Sequence, residues 1–118
     1  MADFKKLEVW QKAHQLTLDV HRAAVKIRGA QYVSLRSQMI RSAMSIPSNI
    51  VEGREQRSEK DFARFLGYAK ASSAELEYHL LVARDMSVIP ESTYATLVNQ
   101  LATVQKMLHG LIARLVNP

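Results

Sequence analysis

The fold of this chain is most clearly indicated by one segment, Gln38-Met-Ile-Arg-Ser-Ala-Met-Ser-Ile-Pro-Ser-Asn-Ile-Val-Glu-Gly53. Apolar residues recur along it every three or four positions, which is the spacing of one helical face; with the preceding turn they are Leu35, Met39, Ala43, Ile46 and Ile50. Six polar residues occupy an adjoining arc of roughly 100°: Gln38, Arg41, Ser42, Ser45, Asn49 and Glu52. The stretch therefore predicts a helix with a core-facing side and a neighbouring polar side that needs partners. Pro47 is expected to remove one backbone hydrogen bond and to bend this helix.

Helical spacing extends outward from this stretch over almost the whole chain. Gly29 predicts the end of a first helix, and Ser34 is the expected N-cap of the second. Ser58, followed three residues later by Asp61, is typical of a capping box at the start of the third. Pro90 is expected to be the first residue of the fourth. The predicted helices span about 7–28, 34–55, 58–85 and 90–116.

Each of the other predicted helices has its own apolar stripe. The first stripe comprises Trp10, Ala13, Thr17, Val20, Ala24 and Ile27. The third comprises Phe62, Phe65, Leu66, Ala69, Ser73, Leu76, Leu80 and Ala83, and the fourth Leu97, Leu101, Val104, Leu108, Leu111 and Leu115. Since the connections are short and no strand pattern competes, we expect an all-α fold: an antiparallel up-and-down four-helix bundle in one domain, residues 1–118.

The composition limits what this domain can be. Its 118 residues suffice for one core and not for two, and 47% hydrophobic residues favour folding over disorder. The chain has no cysteine, which excludes disulfides and thiolate chemistry. Its first residues lack the apolar run of a signal peptide, and no run approaches the roughly 18 residues of a membrane span. We therefore expect a cytoplasmic protein with no membrane partner.

Apolar and small residues outside the stripes indicate contacts between subunits. On the second helix, Ile40, Met44 and Val51 extend the apolar surface to roughly half the circumference. The third helix has a second face of small residues: Ala63, Gly67, Ala71 and Ala74. The fourth carries few charges: Glu91, Lys106 and Arg114. These surfaces predict a homo-oligomer; the alternative is a monomer with an unusually wide core.

Three motifs, in this order, resemble one protein family. They are Leu7-Glu-Val-Trp-Gln-Lys-Ala13, the stretch from Gln38 to Gly53, and Phe62-Ala-Arg-Phe-Leu-Gly-Tyr-Ala69 with Ser72-Ser-Ala-Glu-Leu-Glu77. The chain is similar, over nearly its whole length, to the small four-helix proteins encoded in intervening sequences of bacterial 23S rRNA genes. It departs from their pattern in the loop from Gly29 to Ser34, and Ala71 stands where glycine is usual.

The resemblance implies a cytoplasmic bacterial four-helix bundle. It also implies a ring-like homopentamer, as in the related accessory variability proteins of diversity-generating retroelements, which bind a reverse transcriptase and its RNA. No enzymatic activity is established for the family, and the role of its ordinary members is unknown. The expected partners are thus further copies of the chain, RNA, and a partner protein.

The polar arc of the second helix has two interpretations. Gln38, Ser42, Ser45, Asn49 and Glu52 could form a recognition site or a structural hydrogen-bond network that fixes the register between helices or subunits. We favour the network. Glu75 and Glu77 lie about 160° apart around the third helix, so at most one of them can join it. A catalytic pair of carboxylates is therefore not expected.

Basic residues cluster where the second helix meets the third. This cluster, the basic rim, consists of Arg54, Arg57, Lys60 and Arg64, with Arg41 as an extension along the second helix. Together with the net charge of +5, it suits contact with nucleic-acid phosphates. Alternatively, local pairing would make it a salt-bridged helix end; the interspersed acids are Glu52, Glu55, Glu59 and Asp61. A ring would repeat the basic rim along one edge and strengthen its field, which we state as a hypothesis.

A second basic group flanks the start of the first helix. It consists of Lys5, Lys6 and Lys12, with Trp10 among them. An aromatic ring between cations can stack on a nucleobase. The position of Trp10 in the apolar spacing favours a place in the core instead.

The sequence contains no arrangement typical of an enzyme. The histidines, His14, His21, His79 and His109, are too dispersed for a metal site, and no serine has a base and an acid at informative spacing. We therefore expect no catalysis, cofactor or metal. The favoured function is a non-enzymatic oligomeric bundle that binds RNA or another nucleic acid through the basic rim; the alternative is a scaffold that recruits a partner protein.

Overall fold

The computed structural model describes residues 3–117, which contain four α-helices and no β-strand. The helices are α1 (Glu8–Ala24), α2 (Val33–Arg54), α3 (Glu59–Asp85) and α4 (Glu91–Val116). Two short 3-10 helices, Phe4–Lys6 and Ala30–Tyr32, precede α1 and α2. None of the helices in this part of the chain is long and apolar enough to cross a membrane.

The helices pack as a four-helix bundle. α2 packs against α1 and α3, and α4 packs against the same two helices, whereas the Cα atoms of the diagonal pairs stay more than 8 Å apart within residues 3–117. The body measures 46 × 20 × 20 Å. At about 1.5 Å per residue, α3 alone is roughly 40 Å long, so consecutive helices must alternate in direction to fit. The starts of α1 and α3 and the ends of α2 and α4 therefore lie at one end of the bundle, the α2–α3 end.

The core is apolar and follows the predicted stripes closely in α2, α3 and α4. From α2 it buries Met39, Ala43, Ile46 and Ile50, and from α4 it buries Leu97, Leu101, Val104 and Leu108. In α1 the buried residues are Val9, Ala13, Leu16, Val20 and Ala24. The predicted first stripe omitted Leu16 and included Trp10 and Thr17, which are half-buried. The core-facing line of α1 therefore runs slightly to one side of the predicted one.

Two helix starts involve the residues identified from the sequence. The Ser58 hydroxyl accepts a hydrogen bond from the Asp61 backbone N–H at 3.1 Å, which is the predicted cap of α3. Pro90 stands at the start of α4 but in the N-cap position, so the first helical residue is Glu91. Pro47 is buried inside α2, which continues through it without interruption.

The connection between α1 and α2 differs most from the prediction. α1 ends at Ala24, four residues before Arg28, and a turn follows. The Arg36 guanidinium holds this turn, because it donates to the backbone carbonyls of Ile27 at 2.8 Å and Gly29 at 3.0 Å. α2 starts at Val33 without a cap from Ser34, since the preceding 3-10 helix leads directly into it.

Candidate nucleic-acid interface

The basic rim lies at the α2–α3 end of the bundle. Arg54 is the last residue of α2, Arg57 lies in the connection, and Lys60 and Arg64 belong to the first turns of α3. The four cations therefore come from one helix end, one turn and one helix start.

Arg64 has the most side-chain partners of the cations in the basic rim. Its guanidinium donates to the hydroxyl of Tyr68 at 3.0 Å and pairs with the carboxylate of Asp61 at 3.6 Å. Its central carbon lies 5.0 Å from the ring centroid of Phe65 and 5.8 Å from that of Tyr68. The hydrogen bond with Tyr68, and secondarily Asp61, raise the pKa of Arg64 further above its usual value, so this cation persists at any working pH. Tyr68 is 45% exposed.

Arg54 has no carboxylate partner among the described residues. Its guanidinium lies 5.6 Å from the ring centroid of Phe62, a cation–π distance. The side chain is half-buried, and its Nε is buried without a hydrogen-bond partner. Buried N–H groups are normally hydrogen-bonded, so a buried N–H without an acceptor is unfavourable.

Arg57 and Lys60 are exposed and form no ion pair within residues 3–117. The same holds for the carboxylates expected to neutralise them: Glu52, Glu55 and Glu59. The alternative to nucleic-acid contact was that these cations pair with neighbouring carboxylates. Within residues 3–117, the basic rim forms one such pair, between Asp61 and Arg64. The carboxylates of this junction still equal its cations in number, so the case depends on which groups are paired rather than on net charge.

Arg41 lies apart from the basic rim. It precedes Arg54 by thirteen residues, which is about 20 Å along a helix. Its guanidinium donates to Gln38 Oε1 at 2.8 Å and lies 3.9 Å from a carboxylate oxygen of Glu75. The structure thus gives Arg41 local partners and does not bring it together with the other four cations.

The polar arc of α2 faces α3, and two of its serines bridge the helices. Ser42, buried, lies 2.7 Å from the Gln38 carbonyl oxygen and 3.1 Å from Nδ1 of His79. The hydroxyl and the imidazole nitrogen thus share a hydrogen bond whose direction is set by the tautomer of His79. Ser45 Oγ lies 2.8 Å from Ser72 Oγ. These contacts fix the position of α2 against α3.

The other members of the arc are bound locally or not at all. Asn49 donates to the Ser45 carbonyl at 2.9 Å and to its hydroxyl at 3.2 Å. The side chain of Gln38 accepts from Arg41. Glu52 is exposed, and among the described residues its carboxylate forms no hydrogen bond or ion pair. It takes no part in the bridges to α3.

The acidic residues of α3 separate as their angular positions require. Glu75 lies 3.9 Å from Nε2 of His79 and the same distance from Arg41. Glu77 instead accepts a hydrogen bond from Gln105 on α4 at 3.0 Å. Glu75 and Glu77 therefore have different partners and do not pair with each other.

Sequence reasoning missed His79 and Ser72 as the α3 partners of the arc. A signal was available, because Ser72, Glu75 and His79 are spaced three and four residues apart and so share one helical face. Recognising it required the rotation of α3 relative to α2, which local sequence does not give. No group of three potential metal ligands occurs in residues 3–117.

Comparison with known proteins identifies the family of this chain. The family model described as 23S rRNA-intervening sequence protein matches residues 5–110. The chain belongs to this family. The match includes the polar arc, the basic rim and the start of α1, so all three are placed within the family's own domain. No curated protein matches the chain.

A solved structure extends the comparison to the fold. The crystal structure of a protein of unknown function from the S23 ribosomal protein family of Bacteroides thetaiotaomicron superposes with a TM-score of 0.82. It is 25% identical in sequence, and the alignment covers 88% of this chain and 97% of that one. Both the family and this structural neighbour leave the biochemical role open.

Proposed function

We propose that this protein is a non-enzymatic homo-oligomer that binds RNA through the basic rim. The observation that carries the proposal is that Arg54, Arg57 and Lys60 have no carboxylate partner in residues 3–117. A cation that is already paired with a carboxylate of the protein gains little by binding a phosphate. An unpaired cation that binds a phosphate releases counterions condensed on the nucleic acid, which favours the complex.

The surroundings of the basic rim also suit a nucleic acid. Phe62, Phe65 and Tyr68 lie beside its arginines at cation–π distances. Phe62 is buried and Phe65 half-buried, so Tyr68 is the exposed ring of the three. Arginine planes and exposed aromatic rings are the groups that hold RNA bases once phosphates have been bound. The Nε of Arg54 has no hydrogen-bond acceptor among the described residues, and a phosphate oxygen is an acceptor that arginine binds well.

The outer surfaces of α2 and α3 support the oligomer. Met44 is 52% exposed and Tyr78 is 64% exposed. Small residues lie near these tyrosines on α3: Gly67, which is half-buried, and Ala71 and Ala74, which are exposed. A Cβ added to Gly67 would meet no atom within 4 Å. A glycine inside a helix costs about 1 kcal/mol relative to alanine, and no contact within residues 3–117 requires one at position 67. Close approach of another helix would explain it, and the ring-like pentamer is our specific proposal for the assembly.

RNA binding measured by fluorescence anisotropy across a salt series tests the proposal, with the particle mass determined by light scattering on the same sample. We expect an affinity that falls steeply with salt, by about 0.7 logarithmic units of affinity per logarithmic unit of salt for each single-strand phosphate neutralised. We also expect a mass of about five protomers. No RNA binding at low salt would contradict the proposed function, and a monomeric mass would contradict the assembly.

A second candidate is a scaffold that recruits a partner protein. The exposed Met44, Tyr68 and Tyr78 favour it, because aromatic and methionine side chains are enriched at protein interfaces. The positive charge would then steer an acidic partner. A stoichiometric partner retained after nuclease treatment, together with no affinity for purified RNA, would favour this candidate over the first.

A further inference from the structure

A stack of aromatic rings stands at the start of α1, outside the basic rim. The indole of Trp10 and the imidazole of His14 are nearly parallel, with centroids 4.9 Å apart and an interplanar angle of 8°. Phe4 meets Trp10 edge-on, with centroids 5.0 Å apart. Trp10 is half-buried and packs against the core, whereas His14 is exposed. The stack therefore runs from the core to the surface.

The imidazole of His14 forms the outer end of this stack. Trp10 stacks on one face of the ring, and the side chain of His14 is exposed, so the opposite face is where a further ring could stack. Trp10 packs against the core and Phe4, and the imidazole lies parallel to this indole. A flat ring that is already ordered can accept another flat ring at a smaller entropic cost than a mobile side chain.

Cations accompany the stack at the same end of the bundle as the basic rim. Lys5 and Lys6 are exposed and form no ion pair in the part of the chain that the structure describes. The Lys5 ammonium lies 5.9 Å from the ring centroid of Phe4. Stacking rings beside unpaired cations are the two elements of sites for single-stranded nucleic acid.

We propose that the Trp10–His14 pair is a base-stacking platform, and that the RNA is single-stranded where it meets α1. This inference rests on the proposed function and specifies its ligand. A base in a duplex is stacked on its own neighbours and cannot reach a protein side chain, whereas an unpaired base can be turned outward. Lys5 and Lys6 would bind the adjoining phosphates.

The test compares an oligouridylate of about twelve nucleotides with an RNA duplex of equal length. Trp10 is the one tryptophan of the chain, so its fluorescence reports on the stack directly. We expect the single strand to bind more tightly than the duplex and to quench this fluorescence. His14→Ser should weaken single-strand binding by about fivefold or more, while His14→Phe, which keeps a flat ring, should retain it.

His21→Ser is the matched control. His21 lies seven residues after His14 on the same face of α1 and is also exposed, but no aromatic ring pairs with it among the described residues. Its replacement should leave RNA affinity unchanged. Thermal unfolding of each variant by circular dichroism establishes that α1 is intact.

The outcomes separate this inference from the function on which it rests. If RNA binds with no preference for the single strand, no quenching and no effect of His14→Ser, the platform is overturned and the proposed function stands. If His14→Phe binds as weakly as His14→Ser, stacking is again overturned. If neither RNA binds at low salt, the proposed function fails and the platform fails with it.

Discussion

The side-chain oxygen of Thr17 on α1 lies 3.1 Å from the backbone carbonyl oxygen of Ala43 on α2. In a regular helix that carbonyl would accept from the N–H of residue 47, but Pro47 has no N–H. The Thr17 hydroxyl also lies 2.8 Å from the Ala13 carbonyl oxygen, so it shares one proton between two acceptors. α1 thus supplies the donor that α2 lacks, which is one reason why α2 tolerates a buried proline.

Thr17→Val should destabilise the protein through this contact. Valine has nearly the shape of threonine, so packing is kept while the Ala43 carbonyl loses its donor. A buried acceptor left unsatisfied costs about 1–3 kcal/mol, and because the site is half-buried we expect about 1 kcal/mol. Urea unfolding monitored by circular dichroism measures the change.

Thr103→Val provides the control for this substitution. The Thr103 hydroxyl binds only its own helix, at the Asn99 carbonyl, and it is exposed. Its loss should change the free energy of unfolding by less than about 0.5 kcal/mol. If Thr17→Val and Thr103→Val change the free energy of unfolding equally, the hydrogen bond from Thr17 to the Ala43 carbonyl contributes no more than a hydroxyl contact within one helix.

The fold was predictable where local spacing controls it. The leucines of α4 and the Ser58 cap lie where the periodicity and the capping pattern place them. The end of α1 was not predictable in this way, because Arg36 holds the Ile27 and Gly29 carbonyls from the next helix. A contact between two helices does not change the spacing of apolar residues in either helix, so that spacing does not reveal the contact.

The candidate site shows the same division. Spacing alone placed Ser42 and Ser45 on one side of α2, but their partners depend on the rotation of α3, which brought His79 and Ser72 to them. Glu52 shares the predicted arc yet lies in solvent, since α2 is close to its end there and α3 presents no donor to its carboxylate. The resemblance to a family identified the fold more firmly than it identified any residue's role.

Gly53→Ala and Gly67→Ala should have opposite effects on stability. A Cβ at Gly53 would lie 2.8 Å from Phe65 Cβ and 3.0 Å from Phe62 Cδ1, so α3 would have to move. Overpacking of this kind costs about 1–3 kcal/mol. At Gly67 a Cβ meets nothing within 4 Å, and the gain in helix propensity is up to about 1 kcal/mol.

Chemical unfolding of both alanine variants, at a concentration where the particle mass is known, provides the comparison. Equal destabilisation by the two substitutions would contradict the contact geometry at Gly53. If Gly67→Ala unfolds at a higher denaturant concentration but forms a particle of lower mass, we would infer that a second subunit packs against this part of α3.

Ser42 and His79 should be energetically coupled. A double-mutant cycle with Ser42→Ala and His79→Ala isolates their hydrogen bond, for which we expect a coupling of about 0.5–1.5 kcal/mol. The parallel cycle with Glu52→Ala and His79→Ala should give no coupling beyond about 0.3 kcal/mol, because Glu52 is exposed. Equal coupling in the two cycles would contradict the network as the structure draws it.

Charge reversal of a single unpaired cation tests the location of RNA binding. Arg57 in the basic rim and Arg28 in the α1–α2 connection are both exposed and form no ion pair in residues 3–117, but they lie at opposite ends of the bundle. Either Arg→Glu change lowers the net charge by the same amount. Only Arg57→Glu should weaken RNA binding, by about fivefold or more at low salt, and it should reduce the salt slope by about one phosphate contact.

Anisotropy titrations of both variants across the same salt series measure the RNA affinity and its salt slope. An equal loss in the two variants would mean that RNA responds to overall charge, and an undiminished affinity of Arg57→Glu would remove the basic rim as the binding surface.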